Sequence, residues 1–179
     1  MTYANLLSFI RIILTPIVVL IFFLCQEEPR YFLITIFSLA AITDYLDGYL
    51  ARKMNEVSKL GKFLDPVADK LLVITTLLLL LVDNNSLIIF IPICIIILRE
   101  MIISSLREWV VLENSKKPLN VNIYGKLKTM FQMFSIGFLL FNGTIFTIDT
   151  YVIGLYGIYI AAFLSLVSMI IYFKNVIRS

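Results

Sequence analysis

Apolar runs long enough to cross a hydrocarbon core of about 30 Å recur along this whole chain, each separated from the next by a short polar interruption. Six can be drawn, at residues 6–26, 31–52, 61–82, 86–107, 126–144 and 150–173. The expected fold is therefore an all-α integral membrane protein with six transmembrane helices. A hydrophobic fraction of 60% and a mean hydropathy of +0.97 lie well outside the range of soluble domains. The 179 residues suit a single membrane domain spanning 1–179, with little left over for a soluble one. The first run has the position of a secretory signal, but Arg11 and Pro16 interrupt it and no small-residue cleavage site follows. It reads as a retained helix.

Lys and Arg set the orientation, because cytoplasmic loops retain positive charge. The odd-numbered connections, QEEPR (26–30), VDNNS (82–86) and NGTIFTIDT (142–150), hold only Arg30 between them. The opposite side carries Arg52, Lys53, Lys59, Lys62, Arg107, Lys116, Lys117, Lys126, Lys128, Lys174 and Arg178. Both termini are accordingly expected in the cytoplasm. A net charge of +3 is accounted for by topology and anionic headgroups, so nucleic acid is not an expected partner. Cys25 and Cys94 fall at different depths of different predicted helices and read as packing residues rather than a disulfide or a metal site. The chain has no histidine, which removes Ser-His-Asp and Cys-His nucleophilic sites and His-rich zinc sites. Acid–base chemistry would have to use carboxylate, Lys or Tyr.

Against this background the stretch TDYLDGYLARKMNEVSKLGKFLDPVADK (43–70) places four carboxylates close together, Asp44, Asp47, Asp65 and Asp69. On a helix Asp44, Asp47, Gly48 and Ala51 share a face, and the two small residues leave room for another helix or a ligand's phosphates. Gly61, Asp65 and Asp69 share a face if their segment is helical; alternatively Pro66 starts the third helix, with Asp65 near its N-cap. A hairpin of the second and third helices brings all four acids to one level, slightly inside the membrane and open to the cytoplasm. Carboxylates so grouped need compensating cations. Without His or paired Cys, hard divalent ions, Mg²⁺ or Mn²⁺, are the natural partners, and four acids suffice for two of them. Two such ions are the usual device for displacement at phosphorus. Two plainer accounts compete: a salt-bridge network with Arg52, Lys53, Lys62 and Lys70, and a proton or cation pathway.

The spacing D-x2-D-G-x2-A-R-x8-G-x3-D-x3-D resembles the signature of the CDP-alcohol phosphatidyltransferases, matched here at Asp44, Asp47, Gly48, Ala51, Arg52, Gly61, Asp65 and Asp69. The six-span layout is similar too. NLLSFIRIILTP (5–16), LREMIISSLREW (98–109) and GKLKTMFQM (125–133) look like the bacterial branch that makes phosphatidylglycerophosphate, although Ala4-Asn5 stands where relatives commonly have Pro-Asn. The resemblance implies transfer of a phosphatidyl group from CDP-diacylglycerol to sn-glycerol 3-phosphate, with CMP leaving. It implies that Asp44, Asp47, Asp65 and Asp69 bind metal, that Asp69 is also the general base, and that Gly48, Ala51, Arg52 and Gly61 shape the CDP site. It further implies a homodimer in the bacterial inner membrane with its active site facing the cytoplasm.

A phosphorylated acceptor is a dianion and needs cationic partners, for which Arg99, Arg107, Lys126 and Lys128 are the candidates. Arg99 lies inside the apolar run IPICIIILRE, where it either meets the acceptor or pairs with Glu100 or Glu108. The same family signature would serve serine, inositol phosphate or phosphatidylglycerol as acceptor. A cation channel or transporter is the rival from another class, weakened by the absence of acids continuing across the bilayer.

Overall fold

The computed structural model describes residues 3–24, 30–54, 59–112 and 123–177; within these, the side chains of residues 3–7, 44–54, 59–63, 65, 66, 69, 111 and 177 stand outside the description. Six helices fill the described residues: α1 (Tyr3–Leu24), α2 (Tyr31–Met54), α3 (Lys59–Asp83), α4 (Leu87–Leu112), α5 (Ile123–Phe141) and α6 (Thr150–Ile177). Each matches one of the apolar runs. Two of them, over Leu87–Val110 and Thr150–Val176, are long and apolar enough to cross a membrane; Ser8–Leu24 and Tyr31–Thr43 are shorter apolar helical stretches. The chain divides into two compact units, one of residues 1–83 and 137–151, the other of 84–136 and 152–179.

In the first unit α1 packs on both α2 and α3. Its buried stripe runs Ser8, Arg11, Thr15, Val18 and Phe22, the alternating three- and four-residue spacing of one helix face. That stripe is polar in its first half and apolar in its second. Leu33, Phe37 and Ala40 of α2 and Leu72, Leu77 and Leu80 of α3 complete the apolar part. Where it ends, Arg30 closes the unit. Its guanidinium makes a two-pronged ion pair with Asp83 at the end of α3, 2.9 and 2.8 Å, and stands 5.0 Å from the Phe22 ring. Its backbone N–H donates to the Phe141 carbonyl at 3.1 Å. Four segments therefore meet on one residue.

The connection between α5 and α6 departs from an all-helical reading. α5 ends at Phe141 and is followed by Asn142, whose φ of 44° is the left-handed cap conformation. Thr144–Ile145 and Ile148–Asp149 then form a small antiparallel hairpin. Its two central residues, Phe146 and Thr147, both have positive φ, 48° and 77°, as a tight two-residue loop demands. Thr150 seals the base: its N–H donates to the Gly143 carbonyl at 2.9 Å, and its hydroxyl oxygen accepts from the Gly143 N–H at 2.9 Å. Asp149 accepts the Tyr151 N–H at 2.8 Å and so caps the start of α6.

In the second unit Ser86 caps α4 by accepting the Ile88 N–H at 3.3 Å. Pro92 lies inside α4. Lacking an N–H, it leaves the Ile88 carbonyl, four residues earlier, without its helical donor. The Tyr159 hydroxyl of α6 donates to that carbonyl at 2.8 Å. A proline defect in one helix is thereby repaired by its neighbour. Cys94 is a free thiol, and Cys25 lies outside the described residues.

Replacing Arg30 with Met should remove a two-pronged charged hydrogen bond whose guanidinium is buried while Asp83 keeps access to solvent, costing about 2 kcal/mol, seen as a lowered Tm in detergent. Tyr159→Phe should cost about 1 kcal/mol in the natural chain and close to nothing in a Pro92→Ala background, where the Ile88 carbonyl regains its own donor.

Candidate functional site

The carboxylate motif lies in the first unit. α2 runs unbroken to Met54 and α3 begins at Lys59, so Asp44, Asp47, Gly48, Ala51 and Arg52 are all helical, as are Gly61, Asp65 and Asp69. Of the two alternatives for Pro66, the structure takes the first: α3 starts seven residues before it, and Asp65 lies inside the helix rather than at its cap. Gly61, Asp65 and Asp69 thus share one face of α3, while Asp44, Asp47, Gly48 and Ala51 share one face of α2. The side chains of all eight signature residues fall outside the description.

The Arg30 junction provides a common origin for their depth. With a rise of about 1.5 Å per residue, Asp44 lies about 21 Å along α2 from Arg30, and Asp69 about 21 Å back along α3 from Asp83. Asp47 and Asp65 come out at about 26 and 27 Å on the same scale. The donor set suits a hard divalent cation, since it consists of carboxylate oxygens with neither imidazole nor thiolate. Among the described residues no group of three or more His, Cys, Asp or Glu side chains gathers.

The basic candidates lie in the second unit, and three of the four converge. Arg99 and Lys128 are buried, 7% and 2% exposed. Glu100 stands between them: Lys128 donates to its carboxylate, and Arg99 approaches it at 3.7 Å. Arg99 also donates to the Ser168 hydroxyl of α6 at 2.9 Å. Arg107, two turns along α4 from Arg99, places its guanidinium 5.8 Å from the Tyr172 ring, one turn beyond Ser168. Lys126 is exposed. It is two residues from Lys128, about 200° around α5, so the helical period turns it away from the set.

Close helix packing builds this seam. A Cβ at Gly157 would collide with the Ser135 hydroxyl, and one at Gly125 would lie 3.5 Å from the Ser168 hydroxyl. These two approaches fix α5 against α6 and bring Lys128 and Gln132 opposite the segment that carries Ser165. Polar atoms are left over there. Arg99 Nε, Gln132 Oε1, Ser165 Oγ and Tyr172 Oη are buried without a hydrogen-bond partner. In a bilayer each such atom costs several kcal/mol unless a polar group meets it. Two cations share the Glu100 carboxylate, and the exposed Arg107 guanidinium stands over Tyr172 nearby.

Of the two fates foreseen for Arg99, pairing with Glu100 is present but long, and Glu108 is exposed. Ser165, Ser168, Gln132 and Tyr172 were not foreseen. Their signal was small polar residues recurring at helical spacing in the apolar run of α6, together with the glycines that let α5 approach.

Glu100→Gln should lower the Tm of the anion-free protein, because Arg99 and Lys128 lose their compensating charge, and millimolar inorganic phosphate should raise the variant's Tm more than that of the natural chain.

A sequence model of the CDP-alcohol phosphatidyltransferase family matches residues 1–172, across both units. Three curated relatives carry the name CDP-diacylglycerol–glycerol-3-phosphate 3-phosphatidyltransferase. That of Wigglesworthia glossinidia brevipalpis is 41% identical over 93% of this chain and 90% of its own. That of Haemophilus influenzae is 41% identical over 94% and 89%, and that of Escherichia coli K12 is 39% identical over 94% and 91%.

Proposed function

The chain belongs to the CDP-alcohol phosphatidyltransferase family, and on that premise we propose that it transfers the phosphatidyl group of CDP-diacylglycerol to sn-glycerol 3-phosphate, forming phosphatidylglycerophosphate and CMP. The observation that supports the choice of acceptor is the pair of buried cations, Arg99 and Lys128, sharing Glu100, with Arg99 Nε unpartnered beside them. Serine, a zwitterion without a phosphate, offers such a set only a single carboxylate. The relatives' names point the same way.

In this reaction the primary hydroxyl of the acceptor attacks the phosphorus that bears the diacylglycerol. A new P–O bond forms, the P–O bond to CMP breaks, and CMP departs with the electron pair. Asp69 takes the hydroxyl proton, the role that falls to a carboxylate in a chain without histidine. Asp44, Asp47, Asp65 and Asp69 would hold two divalent cations, Mg²⁺ or Mn²⁺, a reading supported by their common level and hard oxygen donors. When bound, these ions supply positive charge to the diphosphate and to the attacking and leaving oxygens. Gly48, Ala51 and Gly61 leave space for the nucleotide beside the helix backbones, and Arg52 meets the diphosphate. Arg99, Lys128 and Arg107 hold the acceptor's phosphate. Lys126, exposed and on another face, attracts the acceptor towards the seam rather than gripping it.

The same reading has six spans in a bacterial inner membrane, termini and active site on the cytoplasmic side, and a homodimer. The distribution of Lys and Arg supports the orientation. Family membership weighs against an ion pathway.

The test is CMP release by purified protein in detergent, with and without glycerol 3-phosphate, in Mg²⁺, Mn²⁺ or EDTA. Release should require both acceptor and metal. Asp69→Asn should lower turnover by more than a thousandfold while expression is retained, about the size of effect lost with an essential base. Arg99→Ala should raise KM for glycerol 3-phosphate at least tenfold and leave that for CDP-diacylglycerol nearly unchanged; equal effects on both would overturn the acceptor role.

A further inference from the structure

Two buried polar side chains of the second unit, Gln132 and Ser165, have no part in the chemistry above. They are 2% and 0% exposed, and both Gln132 Oε1 and Ser165 Oγ are buried without a hydrogen-bond partner. The contacts between α5 and α6 fix their levels. Gly125 lies against Ser168 and Ser135 against Gly157, so the two helices run antiparallel. Between those contacts the buried stripe of α5 passes through Lys128 and Gln132, and that of α6 through Ser165 and Ala161. The helical period therefore sets Lys128 level with Ser165, and Gln132 level with Ala161. Ala161 offers only a methyl group, which leaves room beside the Gln132 amide.

Helical side chains lean towards their own N-terminus. On antiparallel helices that turns Gln132 back towards Lys128 and Ser165 on towards Ala161, so the amide and the hydroxyl converge between the two levels. An amide carbonyl accepts and a hydroxyl donates, so the two could satisfy each other. They do not. A group that fits between them donates to Gln132 Oε1 and accepts from Ser165 Oγ at once, which is the chemistry of a hydroxyl. The cations stand close by. Lys128 is one turn from Gln132, and Ser168, to which Arg99 donates at 2.9 Å, is one turn from Ser165, a step of roughly 5 Å. A short phosphorylated polyol spans that step.

We propose that Gln132 and Ser165 form a hydroxyl subsite beside the phosphate cations, which holds the acceptor's non-reacting secondary hydroxyl and selects for an acceptor that has one. The inference rests on the reading of Arg99 and Lys128 as the acceptor's phosphate site. The primary hydroxyl of glycerol 3-phosphate gives up its proton in the reaction. The secondary hydroxyl keeps its own, and away from water it needs both a donor and an acceptor. A buried pair built to bond a hydroxyl also rejects an analogue that lacks it, because the pair is then left unmatched.

The experiment compares the natural chain with Gln132→Met, Ser165→Ala and the double variant in detergent. The acceptors are glycerol 3-phosphate and 3-hydroxypropyl phosphate, which keeps the phosphate and the primary hydroxyl and lacks the secondary one. CMP release gives kcat and KM for each, and Tm is read with and without inorganic phosphate. The natural chain should favour glycerol 3-phosphate by about tenfold or more, the size of effect of a buried hydrogen bond left unmade, and the double variant by less than about twofold. The loss should fall on KM rather than kcat. Phosphate should raise Tm equally in all four proteins, and the ligand-free variants should be no less stable than the natural chain, since each substitution removes an unsatisfied polar group. Should Gln132→Met not fold, Ser165→Ala alone should lower the preference about threefold or more. A preference that survives in the variants, a natural chain that uses both acceptors equally, or a phosphate shift lost together with the preference would make the pair a packing contact and overturn the proposal. A natural chain that phosphate does not stabilise and that releases no CMP with either acceptor would instead remove the acceptor reading itself, and the proposal with it.

Discussion

The ion pair between Arg30 and Asp83 fixes the frame in which the first unit has to be understood. A buried guanidinium needs a carboxylate in good geometry, and the two-pronged contact with Asp83 at 2.8 and 2.9 Å provides it. Because Arg30 also touches Phe22 and binds the Phe141 carbonyl, the ends of α1, α2, α3 and α5 share one reference point. Apolar side chains alone specify register weakly, since one leucine packs much like another. A charged pair with a single acceptable geometry specifies it strongly. The backbone segments that carry the signature aspartates, some 20 Å further along α2 and α3, inherit their register from that pair.

The second unit solves a different problem. Its helices carry cations and hydroxyls in an apolar setting, so each polar group must find a partner on a neighbouring helix. Glycines at 125 and 157 let α5 and α6 approach closely enough for that. Ser168 accepts from Arg99 and Tyr159 repairs the carbonyl freed by Pro92. What is left unpartnered, at Gln132, Ser165, Arg99 and Tyr172, lies in the same seam as the cations.

Much of this was legible in the sequence because its signals are local. Helix number and approximate ends follow from the length of each apolar run, and the faces of Asp44/Asp47 and Asp65/Asp69 follow from the helical period alone. The separation of Lys126 from Lys128 was equally available from that period, two residues being a half-turn and more. Contacts distant in the chain were not legible. Arg30 and Asp83 are 53 positions apart and stand in different loops of the sequence reading. Arg99 and Ser168 are 69 apart, and their meeting depends on how α6 lies against its neighbours. The hairpin was missed for a physical reason: tight two-residue loops are announced by Asn-Gly or Asp-Gly, and this one bends at Phe146-Thr147, where side chains normally resist positive φ.

That hairpin also makes the molecule experimentally accessible. Its base is clamped by Thr150 against Gly143, and α6 has its own cap in Asp149, so the helices on either side do not depend on the tip. Phe146 is 93% exposed. Lengthening a loop whose ends are already held together adds little entropic cost. The tip is therefore the natural point for inserting an epitope or a fluorophore-bearing cysteine, giving a reporter of sidedness and of assembly at a distance from the catalytic chemistry.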